Sequence, residues 1–336
     1  SDSGGRCLCL APRNPRGGPT GLSAPTLKAP DMAAPSPHET RLNWLGDRLL
    51  RALIWCALRL PARWRIPAAG WLFAQIGGPL SGRQKVAERN LALVFPEMDA
   101  ATRRRNAKAV LNNVGRMVIE NYDPADMLSR AAAWAPEGPG WPEVQKAKAE
   151  GRPILFISGH FGYYGAARAT LNGMGYDIGA LFRPLNNPYL NDHYISTISD
   201  VGGGAFPRDR RGLGALLKHL KSGAQVAILI DQYVIDGELL DFMGHPAPTA
   251  IAPVEMALRL NALVIPVYST RLANGLDFKL EFEAPIPHTD ALTMTQALND
   301  SLGAKVRENP TQWFWIHNRW KPEKLEIWKT DRAARA

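Results

Sequence analysis

The chain has 336 residues, of which 46% are hydrophobic and 21% charged, and its formal net charge is +9. This composition is ordinary for a globular protein, and the positive charge points to anionic partners: nucleic acid, a membrane surface or acidic small molecules. The three cysteines, Cys7, Cys9 and Cys56, form neither a disulfide framework nor a paired zinc motif, which fits a reducing cytoplasmic compartment.

Residues 1–40 differ from the rest of the chain. They contain seven prolines among glycine, serine and alanine and show no periodic apolar pattern, which predicts a disordered tail. The chain starts with Ser1 and has its first methionine at Met32. We therefore expect residues 1–31 to be a remnant of an over-extended gene prediction or of a fused tag.

Residues 41–82 predict a membrane-anchoring or interfacial helical segment. On a helical wheel four arginines share one third of the circumference and apolar side chains fill the remainder, as in a helix lying in a bilayer interface. These arginines are Arg48, Arg51, Arg59 and Arg63. A surface helix packed on the domain fits the same pattern, but tryptophans concentrate at membrane surfaces and favour the first interpretation. The tryptophans are Trp44, Trp55, Trp64 and Trp71.

Residues 83–122 predict two helices separated by the sequence FPE, and strands alternate with helices from Arg152 onward. Five segments predict strands: PILFIS, YDIGALFR, QVAILID, ALVIPVYSTR and DFKLEFEAPI. This alternation of strands and helices predicts an α/β fold for residues 83–330, with a mostly parallel sheet flanked by helices. It also predicts a functional site beyond the carboxyl ends of the strands.

Three of the predicted strands end in polar residues. The first ends at His160, the second at Arg183 and the third at Asp231-Gln232. Because the carboxyl ends of parallel strands meet at one edge of a sheet, we expect these side chains to converge in an active site. For Arg183 and Asp231, a purely structural ion pair would explain their positions at the strand ends equally well.

The stretch GGGAFPRDRRG, Gly202–Gly212, is a second candidate site. Arg208, Arg210 and Arg211 in this stretch are placed to hold a phosphate at the N-terminus of a helix predicted to start near Gly212. A mobile polar loop explains the sequence equally well. The chain contains no GxSxG, Walker or HExxH motif, which argues against a serine hydrolase elbow, a P-loop NTPase and a zinc protease.

Seven segments follow one another in an order typical of one enzyme family. They are ERNLALVFPE, ISGHFG, FRPLNNPYLNDHY, ILIDQ, FMGHPAPT, LVIPVY and QWFWIHNRWK. Through these segments, residues 42–321 resemble the bacterial lipid A biosynthesis acyltransferases of the lauroyl and myristoyl type, within the wider lysophospholipid acyltransferase group.

The resemblance implies an enzyme of the bacterial inner membrane with a cytoplasmic catalytic face. It implies transfer of a fatty acyl chain from the thioester of acyl carrier protein to a hydroxyl of a lipid A precursor, without a metal or another cofactor. His160 would be the general base. Arg183 would hold an acceptor phosphate or the donor as a bidentate clamp. The other expected substrate-binding residues are Gln232, Arg208 and Arg211.

One position departs from the family pattern. The family signature is a histidine followed after four residues by aspartate or glutamate, and in HFGYYG the acidic position is Gly165. A carboxylate fixes the tautomer of such a histidine and stabilises its protonated form. Three interpretations stay open. Asp231 replaces the missing acid, the protein is a catalytically impaired lipid-binding member, or Gly165 is an engineered or accidental change from aspartate.

The expected partners are acyl carrier protein, an anionic lipid acceptor and the membrane, since a basic surface suits an acidic carrier and phosphorylated lipids. A lysolipid acceptor outside lipid A biosynthesis fits the same residues. Nucleic acid is a poor candidate, because no nucleic-acid-binding module occurs. In WFWIHNRWK we expect Trp313, Trp315 and Trp320 to pack at the membrane surface.

Overall fold

A computed structural model describes residues 37–185 and 187–321, so the predictions for residues 1–36 lie outside the described chain. The first part of the described chain is helical. Its elements are α1 (Pro37–Leu58), α2 (Ala62–Leu72), a π-helical turn (Phe73–Gly77), α3 (Gly78–Leu80), α4 (Arg83–Val94) and α5 (Ala100–Asn121). Helix α1 begins inside the stretch predicted as tail, and the predicted FPE break separates α4 from α5.

Strands and helices alternate in the rest of the chain. The helices are α6 (Pro124–Ala131), α7 (Trp141–Ala149), α8 (Gly165–Gly173), α9 (Pro188–Asp200), α10 (Arg210–Lys221), α11 (Ala252–Arg259) and α12 (Ala291–Glu308). The strands are β1 (Pro136–Glu137), β2 (Ile154–Ser158), β3 (Ile178–Phe182), β4 (Ala205–Pro207), β5 (Gln225–Leu229), β6 (Glu238–Phe242), β7 (His245–Thr249), β8 (Leu263–Arg271) and β9 (Phe278–Phe282).

Seven strands of the described chain form one sheet in the order β1-β9-β8-β2-β5-β3-β4. Neighbouring strands run parallel, apart from β8 and β9, which run antiparallel. The predicted α/β fold with a mostly parallel sheet is therefore confirmed. The sequence pattern did not predict the short strands β1 and β4 or the separate antiparallel hairpin of β6 and β7.

Helices cover both faces of the sheet, because alternate side chains of each central strand point to opposite faces. On one face Phe156 and Ile265 pack with residues of α6, α7 and α8. On the other face Leu155 and Val264 pack with residues of α10, α11 and α12. The strands are buried on both sides, as continuous apolar runs require.

Helix α1 contacts the rest of the protein through a polar group. Asp47 is fully buried and accepts a hydrogen bond from Nε of Arg51 (2.8 Å). Nη2 of Arg51 donates to the backbone carbonyl of Tyr189 in α9 (2.8 Å). Arg51 therefore faces the protein, and Arg63 lies in a different helix, α2. The prediction that Arg48, Arg51, Arg59 and Arg63 share one outer face of a helix is therefore wrong for Arg51 and Arg63.

The outer surface of the N-terminal helices is apolar. Eleven of the nineteen large apolar side chains exposed in the described chain lie between residues 44 and 80. The four tryptophans in this stretch are 44–59% exposed, and arginine guanidinium groups lie over three of their rings. Within residues 37–185 and 187–321, each helix is too short or too polar to cross a bilayer.

Candidate active site

Two glycines shape the turn that brings His160 to the carboxyl edge of the sheet. A Cβ atom at Gly159 would lie 2.6 Å from the side chain of Leu302 and 3.0 Å from the carboxylate of Asp231, so glycine leaves room for both groups. Gly162 has φ near +54°, and a Cβ atom there would collide with the backbone carbonyl of Ser269 in β8. Glycine adopts this conformation without steric cost, which accounts for the sequence GHFG after β2.

His160 and Asp231 are in direct contact. Nδ1 of His160 lies 2.8 Å from Oδ1 of Asp231, and the backbone N–H of His160 donates to Oδ2 (2.7 Å). Trp313 donates its indole N–H to the same Oδ2 (2.8 Å). Because an ionised carboxylate can only accept, Nδ1 carries the proton and Nε2 keeps its lone pair. The imidazole is thus held in the tautomer that a general base needs.

Asp231 is a buried anion. Burial alone would raise the pKa of its carboxyl group, but the charge of His160 and the hydrogen bonds from His160 and Trp313 outweigh burial and lower the pKa to about 2. At neutral pH Asp231 therefore supplies a negative charge directly behind the imidazole.

Gly165, the position expected to be acidic, is the first residue of α8 and has no space for a side chain. A Cβ atom there would lie 2.6–2.9 Å from atoms of the Tyr163 side chain. Tyr163 is 2% exposed, and its hydroxyl donates to Oδ1 of Asn121 (2.9 Å). The ring of Tyr163 occupies the space beside residue 165, and Asp231 is the carboxylate that contacts the imidazole.

A cavity of about 490 Å³ lies beside His160. Its wall comes from β2, α8, β3, α9 and β5 and is largely apolar, with side chains that include Phe156, Leu171, Ile178, Phe182, Ile198 and Val201. The buried guanidinium of Arg168 in this wall donates to the carbonyls of Ile178 (3.1 Å), Ile198 (2.9 Å) and Gly202. A cavity with apolar walls and a base at one side suits a fatty chain with a reactive end.

Two of the predicted basic residues line the same cavity. Arg183 follows β3 and Arg208 follows β4, and both side chains are exposed. In the described chain Arg211 is not part of the cavity wall. The N-terminus of α10 is capped by Asp209, whose carboxylate accepts the N–H of Gly212 (2.7 Å). An anion at this helix end would meet the charge of Asp209, which argues against the predicted phosphate site.

Gln232 lies against the second nitrogen of the imidazole. Its Nε2 is 3.3 Å from Nε2 of His160. Because Nδ1 of His160 carries the proton, the amide of Gln232 is the donor in this contact. Gln232 also lines the cavity, so it lies on the side of the imidazole where a substrate would react.

The aromatic segment near the C-terminus was assigned to the wrong environment. Trp313, Trp315 and Trp320 are 1%, 0% and 5% exposed and belong to a buried cluster that includes Phe242. The prediction that they pack at the membrane surface is therefore wrong. A tryptophan-rich sequence is compatible with a protein core as well as with a membrane interface. The polar residues between these tryptophans were the sequence feature that could have indicated contact with a buried polar site.

The chain is similar to proteins of known function along almost its whole described length. A family model described as bacterial lipid A biosynthesis acyltransferase matches residues 35–322. The lipid A biosynthesis lauroyltransferase of Escherichia coli K12 is 26% identical over 292 residues, which cover 83% of this chain and 91% of that protein. A lipid A biosynthesis acyltransferase of Haemophilus influenzae is 24% identical over 276 residues, which cover 81% of this chain and 85% of the relative.

A third relative, the lipid A biosynthesis palmitoleoyltransferase of Escherichia coli K12, is 22% identical over 293 residues, which cover 83% of this chain and 91% of that protein. The family match spans well over half of the chain and includes the strands, the cavity and the His160 turn. The chain is therefore an acyltransferase and belongs to the bacterial lipid A biosynthesis acyltransferase family.

Proposed function

We propose that this enzyme moves a fatty acyl chain from the thioester of acyl carrier protein to a hydroxyl of a lipid A precursor, with His160 as general base. The observation that carries the proposal is the 2.8 Å contact between Nδ1 of His160 and Oδ1 of Asp231, beside an apolar cavity of about 490 Å³. Two relatives, the lauroyltransferase and the palmitoleoyltransferase of lipid A biosynthesis, support lipid A as the class of acceptor and a fatty acyl chain as the class of donor group.

The reaction proceeds in two steps. The acceptor hydroxyl replaces the Gln232 amide at Nε2 of His160, and Nε2 takes the hydroxyl proton while the hydroxyl oxygen attacks the thioester carbonyl carbon and forms a tetrahedral intermediate. The carbon–sulfur bond then breaks, the carbonyl reforms as an ester, and the imidazolium returns its proton to the departing thiolate. Asp231 stabilises the imidazolium and keeps it oriented without taking the proton itself.

The apolar and the basic parts of the cavity suit different parts of the two substrates. The acyl chain lies along the apolar wall formed by β2, α8, β3 and α9. Arg183 and Arg208, both exposed and both at the cavity, bind phosphate groups of the acceptor or of the carrier's prosthetic group by charge-assisted hydrogen bonds.

The contact with Asp231 argues against an impaired enzyme. A missing acid at residue 165 would matter if it left His160 without a carboxylate. Asp231 already bonds Nδ1, and Tyr163 fills the space beside Gly165. The glycine is therefore compatible with an active site in which the acid comes from the end of β5.

The membrane is the proposed location of the acceptor lipid. Exposed leucines and tryptophans of α1 and α2 enter the bilayer interface, and the arginines stacked on three tryptophan rings meet anionic headgroups. We place the enzyme at the bacterial inner membrane with the cavity on the cytoplasmic side.

The test is acyl transfer by purified enzyme in vesicles, with acyl carrier protein thioesters as donors and a lipid A precursor or a lysophospholipid as acceptor. His160→Ala and Asp231→Asn are each expected to lower kcat by about 10³–10⁴, the effect of comparable changes in serine proteases. His288→Ala is the control, because His288 lies outside the cavity wall.

Two results would contradict the proposal. One is a wild-type enzyme that transfers no acyl chain to either acceptor, and the other is Asp231→Asn with wild-type kcat. Transfer to the lysophospholipid alone would support His160 as the base and identify a lysophospholipid, in place of the lipid A precursor, as the acceptor.

A further inference from the structure

Three residues of the C-terminal segment bond three consecutive residues at the end of β5. Each contact joins one member of the segment 313–319 to one member of the segment 231–233. The contacts are Trp313 Nε1 to Asp231 Oδ2 (2.8 Å), Arg319 Nη1 to the Gln232 carbonyl (3.1 Å) and the Tyr233 N–H to His317 Nε2 (3.0 Å). The loop that carries the proposed acid is thus held at every residue.

The Trp313 contact completes the bonding of Asp231. Oδ1 bonds the imidazole, and Oδ2 accepts from the backbone N–H of His160 and from the indole of Trp313. With donors on both oxygens, the carboxylate cannot rotate without losing a hydrogen bond in a buried place, which costs about 1–3 kcal/mol. Trp313 therefore fixes the plane in which Asp231 meets His160.

Arg319 is a buried cation that fixes the next residue. It is fully buried, and burial lowers the pKa of its guanidinium to about 10. In the described chain its side chain bonds no carboxylate; it donates to the carbonyls of Gln232 and Pro248 and to the hydroxyl of Thr249. A buried charge of this kind is costly, and here it holds the backbone from which the Gln232 amide reaches His160.

We propose that Trp313, His317 and Arg319 are positioning residues for acyl transfer. They hold the loop 231–233 so that Asp231 orients Nδ1 of His160 while the Gln232 amide faces Nε2. This inference rests on the proposed function, because it assigns the segment to a reaction in which His160 is the base.

Trp313→Phe tests the inference, since it removes the N–H and keeps an aromatic ring. Loss of one donor raises the pKa of Asp231, and the more basic carboxylate attracts the Nδ1 proton of the imidazole more strongly. We expect kcat to fall about tenfold, the equivalent of one hydrogen bond, with KM unchanged. We also expect the acid limb of kcat/KM to move to higher pH.

Two neighbouring tryptophans provide matched controls. Trp315 is equally buried, but its N–H donates to the Pro310 carbonyl (2.6 Å), and within residues 37–185 and 187–321 the N–H of Trp320 has no partner. Trp315→Phe is expected to lower Tm and to leave kcat and the acid limb in place. Trp320→Phe is expected to lower Tm as well, because it shrinks a buried ring, and to leave kcat and the acid limb near their wild-type values.

A measurement without turnover separates this inference from the proposed function. The Nδ1 proton of His160, assigned by its absence in His160→Gln, gives a downfield NMR resonance that reports its bond to Asp231. We expect this resonance to move in Trp313→Phe and to stay in Trp320→Phe. If the wild type transfers no acyl chain, the proposed function fails, and the resonance still decides whether Trp313 positions the pair.

Two outcomes would overturn the inference. The first is an unchanged resonance in Trp313→Phe together with wild-type kcat. The second is a loss of kcat that Trp315→Phe reproduces without any change in the acid limb, because the segment would then only stabilise the fold.

Discussion

At the scale of single residues, Tyr163 and Gly165 form a matched pair. The buried Tyr163 side chain approaches residue 165 so closely that a Cβ atom there would lie 2.6 Å from it, and the hydroxyl of Tyr163 is bonded to Asn121. Burial also raises the pKa of Tyr163, so it remains neutral at all ordinary pH values. The absence of an acidic side chain at residue 165 therefore leaves the space that the large ring of Tyr163 occupies.

This pair predicts that a side chain at 165 is harmful. Gly165→Ala is expected to cost about 1–3 kcal/mol through overpacking, and Gly165→Asp is expected to lower activity as well. Gly173 provides the control, because it ends the same helix with open space around its Cα, and Gly173→Ala gains up to about 1 kcal/mol. Thermal unfolding measures both. A Gly165→Ala protein as stable as the wild type would contradict the packing argument.

His317 makes stability depend on pH. Burial lowers its pKa to about 4 against the opposing charge of Asp231, whereas a histidine of the unfolded chain has a pKa of about 6.5. Between these values the unfolded state binds a proton that the folded state does not, so stability falls as the pH drops from about 6.5 to about 4. The full effect is on the order of 3 kcal/mol.

His317→Gln keeps an acceptor for the Tyr233 N–H but cannot titrate. We expect it to lose less stability than the wild type between about pH 7 and about pH 5, as measured by urea unfolding. His288→Gln, which changes an exposed histidine, is the control and should follow the wild-type curve. Parallel curves for wild type and His317→Gln would show that His317 is not the titrating group.

At the scale of elements, apolar runs predicted the strands that are buried on both faces. The strands β2, β3, β5 and β8 carry such runs, because helices cover both sides of the sheet, whereas β9 alternates buried apolar residues with more exposed charged ones. The short strands β1 and β4 contain too few residues for a pattern. The hairpin strand β7 reads HPAPT, and its two prolines oppose a strand assignment except at an edge.

The same elements explain how much of the site was predictable. Strands β2 and β5 are parallel neighbours with Ser158 opposite Leu229, so His160 and Asp231 each lie two residues beyond a paired position. Their proximity follows from topology. The contact with Trp313 does not, because it depends on how a segment 82 residues further on folds back against the sheet edge.

At the scale of the whole molecule, α1 presents two different surfaces. Its polar contact through Asp47 and Arg51 faces α9, which itself forms part of the cavity wall. Both tryptophans and the leucines Leu45, Leu49 and Leu53 face outward, whereas Ile54 is buried. An ordinary surface helix turns most of its apolar side chains toward the core, so this exposed apolar surface is unusual.

This arrangement predicts separable effects on membrane binding and stability. Leu49 and Leu53 are 65% and 59% exposed, so the double change to aspartate removes no core contact. We expect lost co-sedimentation with anionic vesicles and an unchanged Tm. Leu292→Asp, at an exposed leucine of α12, is the control and should still bind. Vesicle binding by the double variant as strong as that of the control would contradict the assignment of this surface.

The distances along the chain between the bonded groups have a consequence for biosynthesis. His160 lies 71 residues before Asp231, which in turn lies 82 residues before Trp313. A ribosome therefore delivers His160 first, Asp231 later and Trp313 last. The residues that line the cavity end at Ser269, so the buried carboxylate of Asp231 gains its indole donor only after the whole cavity lining has been synthesised.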